Sequence, residues 1–292
     1  MEWLERMNDA IEYIEKNLCN TVDYDEAART ACCSTYHFQR MFSYITNVTL
    51  SEYIRRRRLT LAAFDLQNSD DKVIDVALKY SYDSPEAFAR AFGRLHGFPP
   101  TQSRQKGVLL KAYPKISFQI SIKGEAEMNY KIEEKSGFEV IGLSITITKD
   151  ESPYEVIPKF GNEIWHNGEH AEINKLVNNA DGTLLDGIAF DFKEDGSRRY
   201  MFGFTKPDHL TDIPEKLTTL TIPPETWAVF EGKGDNTNTL VIQQIWKRVY
   251  SEWFPTSNYE QAKGPCIEKH QWADGDNGEY TCEVWVPVVK KK

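Results

Sequence analysis

Two arginines occupy matching places in a short pattern that the chain contains twice. Residues 34–42 read STYHFQRMF, and residues 84–92 read SPEAFARAF. Phenylalanines four residues apart lie on one face of a helix, so the arginine between them faces away from that core. A helix with an outward arginine can enter the major groove of DNA. We interpret both stretches as DNA-recognition helices; the alternative is a pair of solvated arginines. The residues that align without a gap are Ser34, Phe38, Arg40 and Phe42 with Ser84, Phe88, Arg90 and Phe92.

A glutamate in the last apolar stretch is the second candidate. Glu283 interrupts YTCEVWVPV at residues 280–288, and it shares a face with Trp285 because strand side chains alternate. A carboxylate in an interior strand is costly unless it is paired, and desolvation raises its pKa. Two interpretations are open. In the structural one, Glu283 pairs with a lysine or lies on an exposed edge strand. In the functional one, Glu283 lies in a binding site, and a cationic ligand neutralises its charge.

Aromatic residues in the same half of the chain could add cation–π attraction to such a ligand. We expect only some of them to line a binding site, since most large rings serve as core. The candidate ligand-binding residues are Glu283, Trp285, Trp165, Tyr200, Phe202 and Trp253.

Patterns for metal binding and catalysis are weak. Residues 166–170, HNGEH, match the H-x-x-E-H pattern of zinc peptidases, which requires both histidines on one rigid helix. The central glycine weakens such a helix by about 1 kcal/mol. The five cysteines lack the paired spacing of a zinc site, and no P-loop or G-x-S-x-G occurs. The sequence therefore predicts no metal, no cofactor and no catalytic residues.

The first hundred residues predict a set of short helices, since apolar positions recur every three or four residues. Asp23 and Ser34 are expected to cap two of them, and Thr49 with Glu52 to cap a long helix over residues 50–68. Ser84 followed by Pro85 starts another helix, and Gly97 with Pro99-Pro100 closes the unit. These elements form two helix-turn-helix units.

The long helix between the units could set the distance between two DNA contacts. Its 19 residues span about 28 Å at about 1.5 Å per residue. Major-groove faces on one side of B-DNA repeat at about 34 Å. One chain could therefore seat both recognition helices in adjacent grooves. Of the run Arg55–Arg58 on this helix, we expect about half to reach phosphate and the others to pair with acids.

The charge distribution agrees with a local DNA-binding region. The whole chain carries −9, yet residues 27–107 hold 12 lysines and arginines against 7 aspartates and glutamates. A basic block in an acidic chain is typical of a DNA-contacting face with limited non-specific attraction. The acidic amphipathic N-terminus excludes a signal peptide, and no stretch is apolar enough to span a membrane, so a cytoplasmic protein is expected.

Beyond a connector at residues 108–128, the periodicity changes from helical to mixed. Strand-like and helix-like stretches follow in the order strand-helix-strand-strand, twice. This order predicts an α+β domain of two similar halves. The predicted fold is multidomain, with an all-α tandem helix-turn-helix domain at residues 1–107 and the α+β domain at residues 129–292.

The N-terminal motifs resemble those of the AraC/XylS family of transcription regulators. STYHFQRMF, YIRRRRL, DVALKYSYDSPEAFARAF and GFPPTQSR carry the resemblance over residues 5–107, and the right-origin-binding-protein subgroup is the nearest pattern. The resemblance implies that double-stranded DNA is the partner, at an asymmetric promoter site, with recruitment of RNA polymerase. It places Tyr36, Gln39 and Arg40 near bases in one groove and Arg90 in the other. The predicted DNA-binding residues are Tyr36, Gln39, Arg40, Arg90, Ser34 and Ser84.

The C-terminal half resembles the GyrI-like effector-binding domain, which also occurs in multidrug-binding regulators. WFPTSNYE, GPCIEKH and YTCEVWVPV carry this resemblance within residues 129–292, and the family's acidic residue corresponds to Glu283. The resemblance implies a small effector, cationic and apolar. Some stand-alone relatives resemble hydrolases of strained rings, which is the alternative function.

Overall fold

The chain forms two compact units. The computed structural model describes residues 2–105, 107–119, 127–148, 151–177, 186–193, 196–235, 240–272 and 279–291. One unit consists of Met1–Arg40 and Val48–Ile122, and the other of Met41–Asn47 and Lys123–Lys292. None of the helices in these described ranges is both long and apolar enough to cross a lipid bilayer.

Six helices occupy residues 2–96. Each lies where apolar spacing predicts one, and α4 has the predicted bounds. In chain order they are α1 (Glu2–Lys16), α2 (Tyr24–Thr30), α3 (Thr35–Thr46), α4 (Leu50–Asn68), α5 (Val73–Lys79) and α6 (Pro85–His96). A short 3₁₀ turn, Pro100–Arg104, follows them. Residues 108–119 and 127–128, the described parts of the predicted connector, contain no helix or strand.

Side chains cap these helices where the sequence places them. Asp23 accepts hydrogen bonds from the amides of Asp25 and Glu26 at the start of α2, and Thr49 accepts one from Glu52 at the start of α4. Each such bond satisfies an amide that has no partner inside the helix. Gly97 ends α6 with a left-handed φ of 89°, which a glycine adopts without strain.

Most of the second unit consists of β-strands, with helices between some of them along the chain. The strands are β1 (Tyr130–Lys135), β2 (Phe138–Ile147), β3 (Asp186–Phe190), β4 (Arg198–Thr205), β5 (Thr218–Ile222), β6 (Glu225–Asp235), β7 (Tyr259–Gln261), β8 (Cys266–Trp272) and β9 (Glu279–Lys290). The helices are α7 (Pro153–His166), α8 (Glu169–Leu176), α9 (Leu240–Arg248) and the short α10 (Phe254–Thr256). A π-helical turn, Val249–Trp253, connects α9 to α10.

The sheet order confirms the two predicted halves. All pairs are antiparallel, in the order β1-β6-β9-β8-β3-β4-β2-β5, with β7 beside β9. One half runs β2, α7–α8, β3, β4, and the other runs β6, α9, β8, β9. In each half the third strand lies between the first two, and the halves join where β3 pairs with β8. This junction brings side chains of both halves to the centre of the sheet.

The sheet has two distinct faces, which the strand register assigns. Glu268 and Phe202 both lie beside Gly187 in the register, and Tyr200 shares their face. We call this the helix face, because α9 packs there on Gly232 and α7 on Phe202. The opposite face carries Trp285 opposite Ile267, and Glu283 opposite Lys269.

Candidate functional site

The two candidate recognition helices begin alike. The hydroxyl oxygen of Ser34 accepts a hydrogen bond from the His37 amide at 3.2 Å, and that of Ser84 accepts one from the Ala87 amide at 3.1 Å. These bonds are N-caps, which explains why serine recurs at both positions. The four phenylalanines of the repeated pattern have no exposed surface, which confirms the predicted cores: Phe38, Phe42, Phe88 and Phe92.

The position of Arg40 differs from the expectation that it faces solvent. Arg40 is only 3% exposed. Its Nη1 atom donates to the Tyr36 hydroxyl at 2.5 Å, and its guanidinium carbon lies 5.3 Å from the centre of the Tyr36 ring. The phenylalanine spacing determines which side of α3 meets its own core, but it does not determine what the remaining sides meet. Gln39 and Tyr36 are half-buried on the same helix.

Arg90 lies on the exposed surface of α6, as the repeated pattern predicts. Glu86, Arg90 and Arg94 follow one another at intervals of four residues, and all three are exposed. Residues spaced by four lie on one face of a helix. The outward face of α6 thus presents two guanidinium groups, with an acid nearer its N-terminus. The sequence analysis did not identify Arg94. Its spacing of four residues from Arg90 could have predicted that both lie on the same face of α6.

The arginines of α4 bind groups within the protein, whereas about half of them were expected to reach DNA phosphate. Arg55 and Arg56 both pair with Glu52. Arg57 pairs with Glu15 of α1 at 2.7 Å, and both side chains are 11% exposed. Arg58 donates to the main-chain carbonyls that follow α1, at Leu18 and Asn20. The guanidinium groups of Arg57 and Arg58 are thus bound within the helical unit.

Glu283 has the lysine partner that the sequence left open. Its carboxylate lies 3.6 Å from Nζ of Lys131 and accepts a hydrogen bond from the indole nitrogen of Trp285 at 2.7 Å. The Trp285 ring has Lys135 and Lys269 over it, at 4.2 Å and 4.9 Å from the ring centre. Protein cations therefore already surround both residues of this predicted pair.

Glu268, on the helix face, is a second carboxylate of the sheet. Its Oε1 accepts a hydrogen bond from the Trp246 indole at 2.6 Å, and its Oε2 accepts one from the Tyr200 hydroxyl at 2.9 Å. Among the described residues, no lysine or arginine lies within ion-pair distance of Glu268. It is half-buried at the centre of the sheet. Two neutral aromatic donors thus hold a negative charge in place.

The main chain at Gly187 passes close to the hydrogen bond between Tyr200 and Glu268. A Cβ atom at Gly187 would lie 2.0 Å from the Tyr200 hydroxyl oxygen and 3.1 Å from Oε2 of Glu268. Glycine at this position therefore leaves room for the hydrogen bond between them. Burial, and next the charge of Glu268, raise the pKa of Tyr200 well above its ordinary value, so the hydroxyl stays protonated as a donor.

Aromatic rings from both halves surround Glu268. Phe202 contacts Tyr200 edge-on at 5.2 Å between ring centres, and Phe160 of α7 lies 5.7 Å from Phe202. Of the six predicted ligand-binding residues, Tyr200 bonds to Glu268 and Phe202 packs against Tyr200. Glu283 and Trp285 lie on the opposite face, because the side-chain direction alternates along β8 and β9.

The remaining two predicted aromatics have other neighbours. Trp165 is 53% exposed and stacks on His170 at 3.8 Å. Trp253 is 6% exposed and packs edge-on against Phe230 at 5.0 Å, as a core residue does. The HNGEH stretch is divided between α7 and α8 by Gly168 at a left-handed φ of 76°, so its histidines do not share one helix.

Sequence reasoning missed Glu268 and its partner Trp246. Glu268 stands in CIEKHQW between an isoleucine and a lysine, so the strand shows no continuous apolar run for an acid to interrupt. A signal existed in the alternation of Cys266, Glu268 and His270, which puts the acid on the face of a buried cysteine. Trp246 was identified only as an apolar residue of α9.

Two family models match the chain. The model described as integron-associated effector binding protein matches residues 131–288, which is more than half of the chain. A helix-turn-helix domain model matches residues 27–106.

Named relatives match each part separately. The HTH-type transcriptional activator AarP of Providencia stuartii is 37% identical over 115 residues, 38% of this chain and 85% of that protein. Regulatory protein SoxS of Salmonella typhimurium is 35% identical over 96 residues, 33% of this chain and 90% of that protein. The solved structure of SAV2435 bound to tetraphenylphosphonium is 22% identical, covers 56% of this chain and 94% of its own, and has a TM-score of 0.46.

Proposed function

Because this chain belongs to the AraC-type transcription regulators and to the integron-associated effector-binding proteins, we propose that it regulates transcription in response to an apolar organic cation. It is a DNA-binding regulator with a GyrI-like effector-binding domain, and its relatives are regulators rather than enzymes. The proposal extends to activation by recruitment of RNA polymerase in the cytoplasm. The name of AarP, a transcriptional activator, supports this direction.

For DNA reading, we assign the second recognition helix the leading role. Arg90 is exposed on α6, and a guanidinium in the major groove can donate two hydrogen bonds to one guanine. Arg94 lies one turn further along the same face, where it can contact phosphate. Base contacts from α3 by Tyr36 and Gln39 remain a prediction. The buried Arg40 is better placed to orient Tyr36 than to contact a base.

The DNA assignment can be tested with duplexes that the wild-type chain selects from a random-sequence pool. Arg90→Ala should cost about 1–3 kcal/mol of specific binding and relax the preference at one base pair. Lys216→Ala is the matched control, because it removes one exposed positive charge from the second unit. Unchanged affinity and base preference in Arg90→Ala would contradict the assignment of α6.

For the effector, the observation that carries the proposal is that, within the described ranges, no lysine or arginine pairs with Glu268. A half-buried carboxylate held only by neutral donors attracts a cation more strongly than one that already has a lysine partner. The Tyr200 and Trp246 side chains bond to it directly, and Phe202 packs edge-on against Tyr200. Such rings stabilise a cation whose charge is spread over an apolar body. We therefore expect an organic cation rather than a metal ion.

Replacing each glutamate with glutamine tests which of Glu268 and Glu283 contributes its charge to ligand binding. Glu268→Gln should lower the affinity for tetraphenylphosphonium about tenfold or more, about 1.4 kcal/mol, since it removes the charge and retains the shape. Triphenylphosphine oxide, a neutral probe of related shape, should lose much less. Glu283→Gln is the control and should change neither affinity. Equal losses for both probes in Glu268→Gln would contradict charge pairing as the basis of recognition.

A further inference from the structure

An extended segment is bound along the helical unit by its main chain. We call residues 110–118 the strap. Amide groups of the strap donate hydrogen bonds to side chains on three different helices, although the strap itself pairs with no strand. The bonds run from Lys111 to Nδ1 of His96 (3.2 Å), from Tyr113 to the Thr60 hydroxyl (3.1 Å), from Ile116 to the Tyr53 hydroxyl (3.3 Å) and from Phe118 to Oδ1 of Asn8 (2.8 Å).

These acceptors connect α1, α4 and α6 through one short stretch of chain. Asn8 also donates to the Phe118 carbonyl at 2.9 Å, so its amide side chain binds both main-chain groups of that residue. His96 receives the Lys111 amide at Nδ1, and its Nε2 lies 3.3 Å from the Leu59 carbonyl. Recognition of a main chain by side chains fixes the register of the segment, as partner strands do in a sheet.

The strap also completes a poorly exposed ion pair. Glu15 of α1 pairs with Arg57 of α4, and both side chains are 11% exposed. The remaining Nη1 group of Arg57 donates to the Tyr113 carbonyl at 2.6 Å. Tyr53 donates to the same Glu15 at 2.6 Å while it accepts from the strap. Release of the strap would remove this hydrogen-bond partner from Arg57 and expose the ion pair to solvent, which weakens it.

Side chains of the strap add apolar contacts at both ends. Leu110 and Tyr113 pack against the core of the second helix-turn-helix unit, which contains Phe88 and Phe92. Phe118 is 8% exposed and meets Trp3 edge-on at 6.5 Å between ring centres. The strap therefore contacts the core of one recognition helix and the first helix of the chain.

We propose that the strap is an intramolecular clasp, which must be in place for the helical unit to bind DNA. It joins α6, which carries Arg90, to α4, which connects the two helix-turn-helix units. Release of the strap would loosen both attachments, so the two recognition helices would no longer be held at a fixed separation. The inference rests on the proposed DNA reading, and it gives the segment before the effector-binding domain a regulatory role.

Amide hydrogen exchange on the full chain tests whether the clasp is closed. We expect hydrogen exchange to be at least about tenfold slower at the four bonded amides than at three neighbours. The bonded amides are those of Lys111, Tyr113, Ile116 and Phe118, and the neighbours are Ala112, Lys115 and Ser117. These neighbours make no main-chain hydrogen bond among the described residues and serve as internal controls. Equally fast exchange at all seven amides would overturn the proposal.

Thr60→Val tests whether the clasp matters for DNA. The substitution keeps the side-chain shape but removes the acceptor of the Tyr113 amide. It should speed exchange in the strap and weaken binding to the selected duplex at least about threefold, a loss of about 0.65 kcal/mol. Thr30→Val is the matched control. The Thr30 hydroxyl donates to the carbonyl one turn earlier in α2, as the Thr60 hydroxyl does in α4, but Thr30 has no contact with the strap among the described hydrogen bonds.

The outcomes separate this inference from the proposed function. Faster exchange with unchanged DNA affinity in Thr60→Val would overturn the clasp and leave DNA reading intact. Failure of the wild-type chain to select any duplex would instead contradict the proposed DNA reading. Asn8→Ala, at the other end of the strap, provides a second variant if Thr60→Val folds poorly, and it should have the same two effects.

Discussion

Each face of the β-sheet carries a glutamate, and the two glutamates differ in their partners. On the opposite face, Glu283 has a lysine at 3.6 Å and an indole donor, and lysines lie over the neighbouring Trp285. On the helix face, Glu268 has an indole and a phenol as donors and, among the described residues, no cation. A charge that the protein has already neutralised offers little to a ligand. The partners of an acid, rather than its place in an apolar strand, therefore indicate a binding role.

Gly187→Ala should produce the largest effect, and only on the helix face. The new methyl group would lie 2.0 Å from the Tyr200 hydroxyl oxygen, which cannot move easily in a buried site. We expect the free energy of unfolding to fall by about 1–3 kcal/mol, in urea titrations. The loss should be smaller in a Tyr200→Phe background, because the nearest clashing atom is gone.

Gly161→Ala is the control for that substitution. Its methyl group would meet Phe202 at 3.4 Å, an ordinary contact, and the change improves helix propensity in α7. Stability should therefore stay unchanged or rise slightly. Equal losses for both glycine variants would show that the close approach at Gly187 is not the cause.

Asp186→Asn should have a smaller effect that depends on pH. Burial raises the pKa of Asp186 to about 6, the charge of Glu283 adds to this, and Lys269 opposes it. The folded-state pKa thus exceeds the ordinary value of about 3.9. Protonation stabilises the fold below about pH 4, and this contribution is lost as the pH rises through about 6.

The asparagine variant should therefore be more stable than the wild type at pH 7.5, by about 1–2 kcal/mol, and equal to it at pH 4. Thermal unfolding at the two pH values measures this difference. Asp212→Asn, at an exposed position, controls for the loss of one negative charge. A gain that is the same at both pH values would contradict the role of burial.

Glu283→Gln should have the smallest effect on stability. Its ion pair with Lys131 is open to solvent, with the two side chains 30% and 50% exposed. Solvent screening limits such pairs to about 1 kcal/mol or less. Chemical denaturation of the variant checks this value. A loss above about 2 kcal/mol would mean that the opposite face depends on this acid far more than its exposure indicates.

Local signals in the sequence predicted most of the fold. The caps at Ser34, Thr49 and Ser84 and the cores around Phe42 and Phe92 depend on residues within a few positions of each other, so spacing determines them. The strands that spacing missed are β1, β5 and β7. β1 is mostly exposed and charged, and β5 and β7 are short, so none of them shows an apolar pattern.

Residue spacing is sufficient to predict two similar helix-turn-helix units followed by a sheet of two similar halves. Long-range packing buries Arg40 and leaves Arg90 exposed. It also pairs Glu283 with Lys131, whereas none of the described lysines or arginines forms an ion pair with Glu268. The physical reason is the range of the interactions. Caps and helix faces are set within one turn, whereas the partners of Glu268 come from α9 and β4, which are 22 and 68 residues away in the chain.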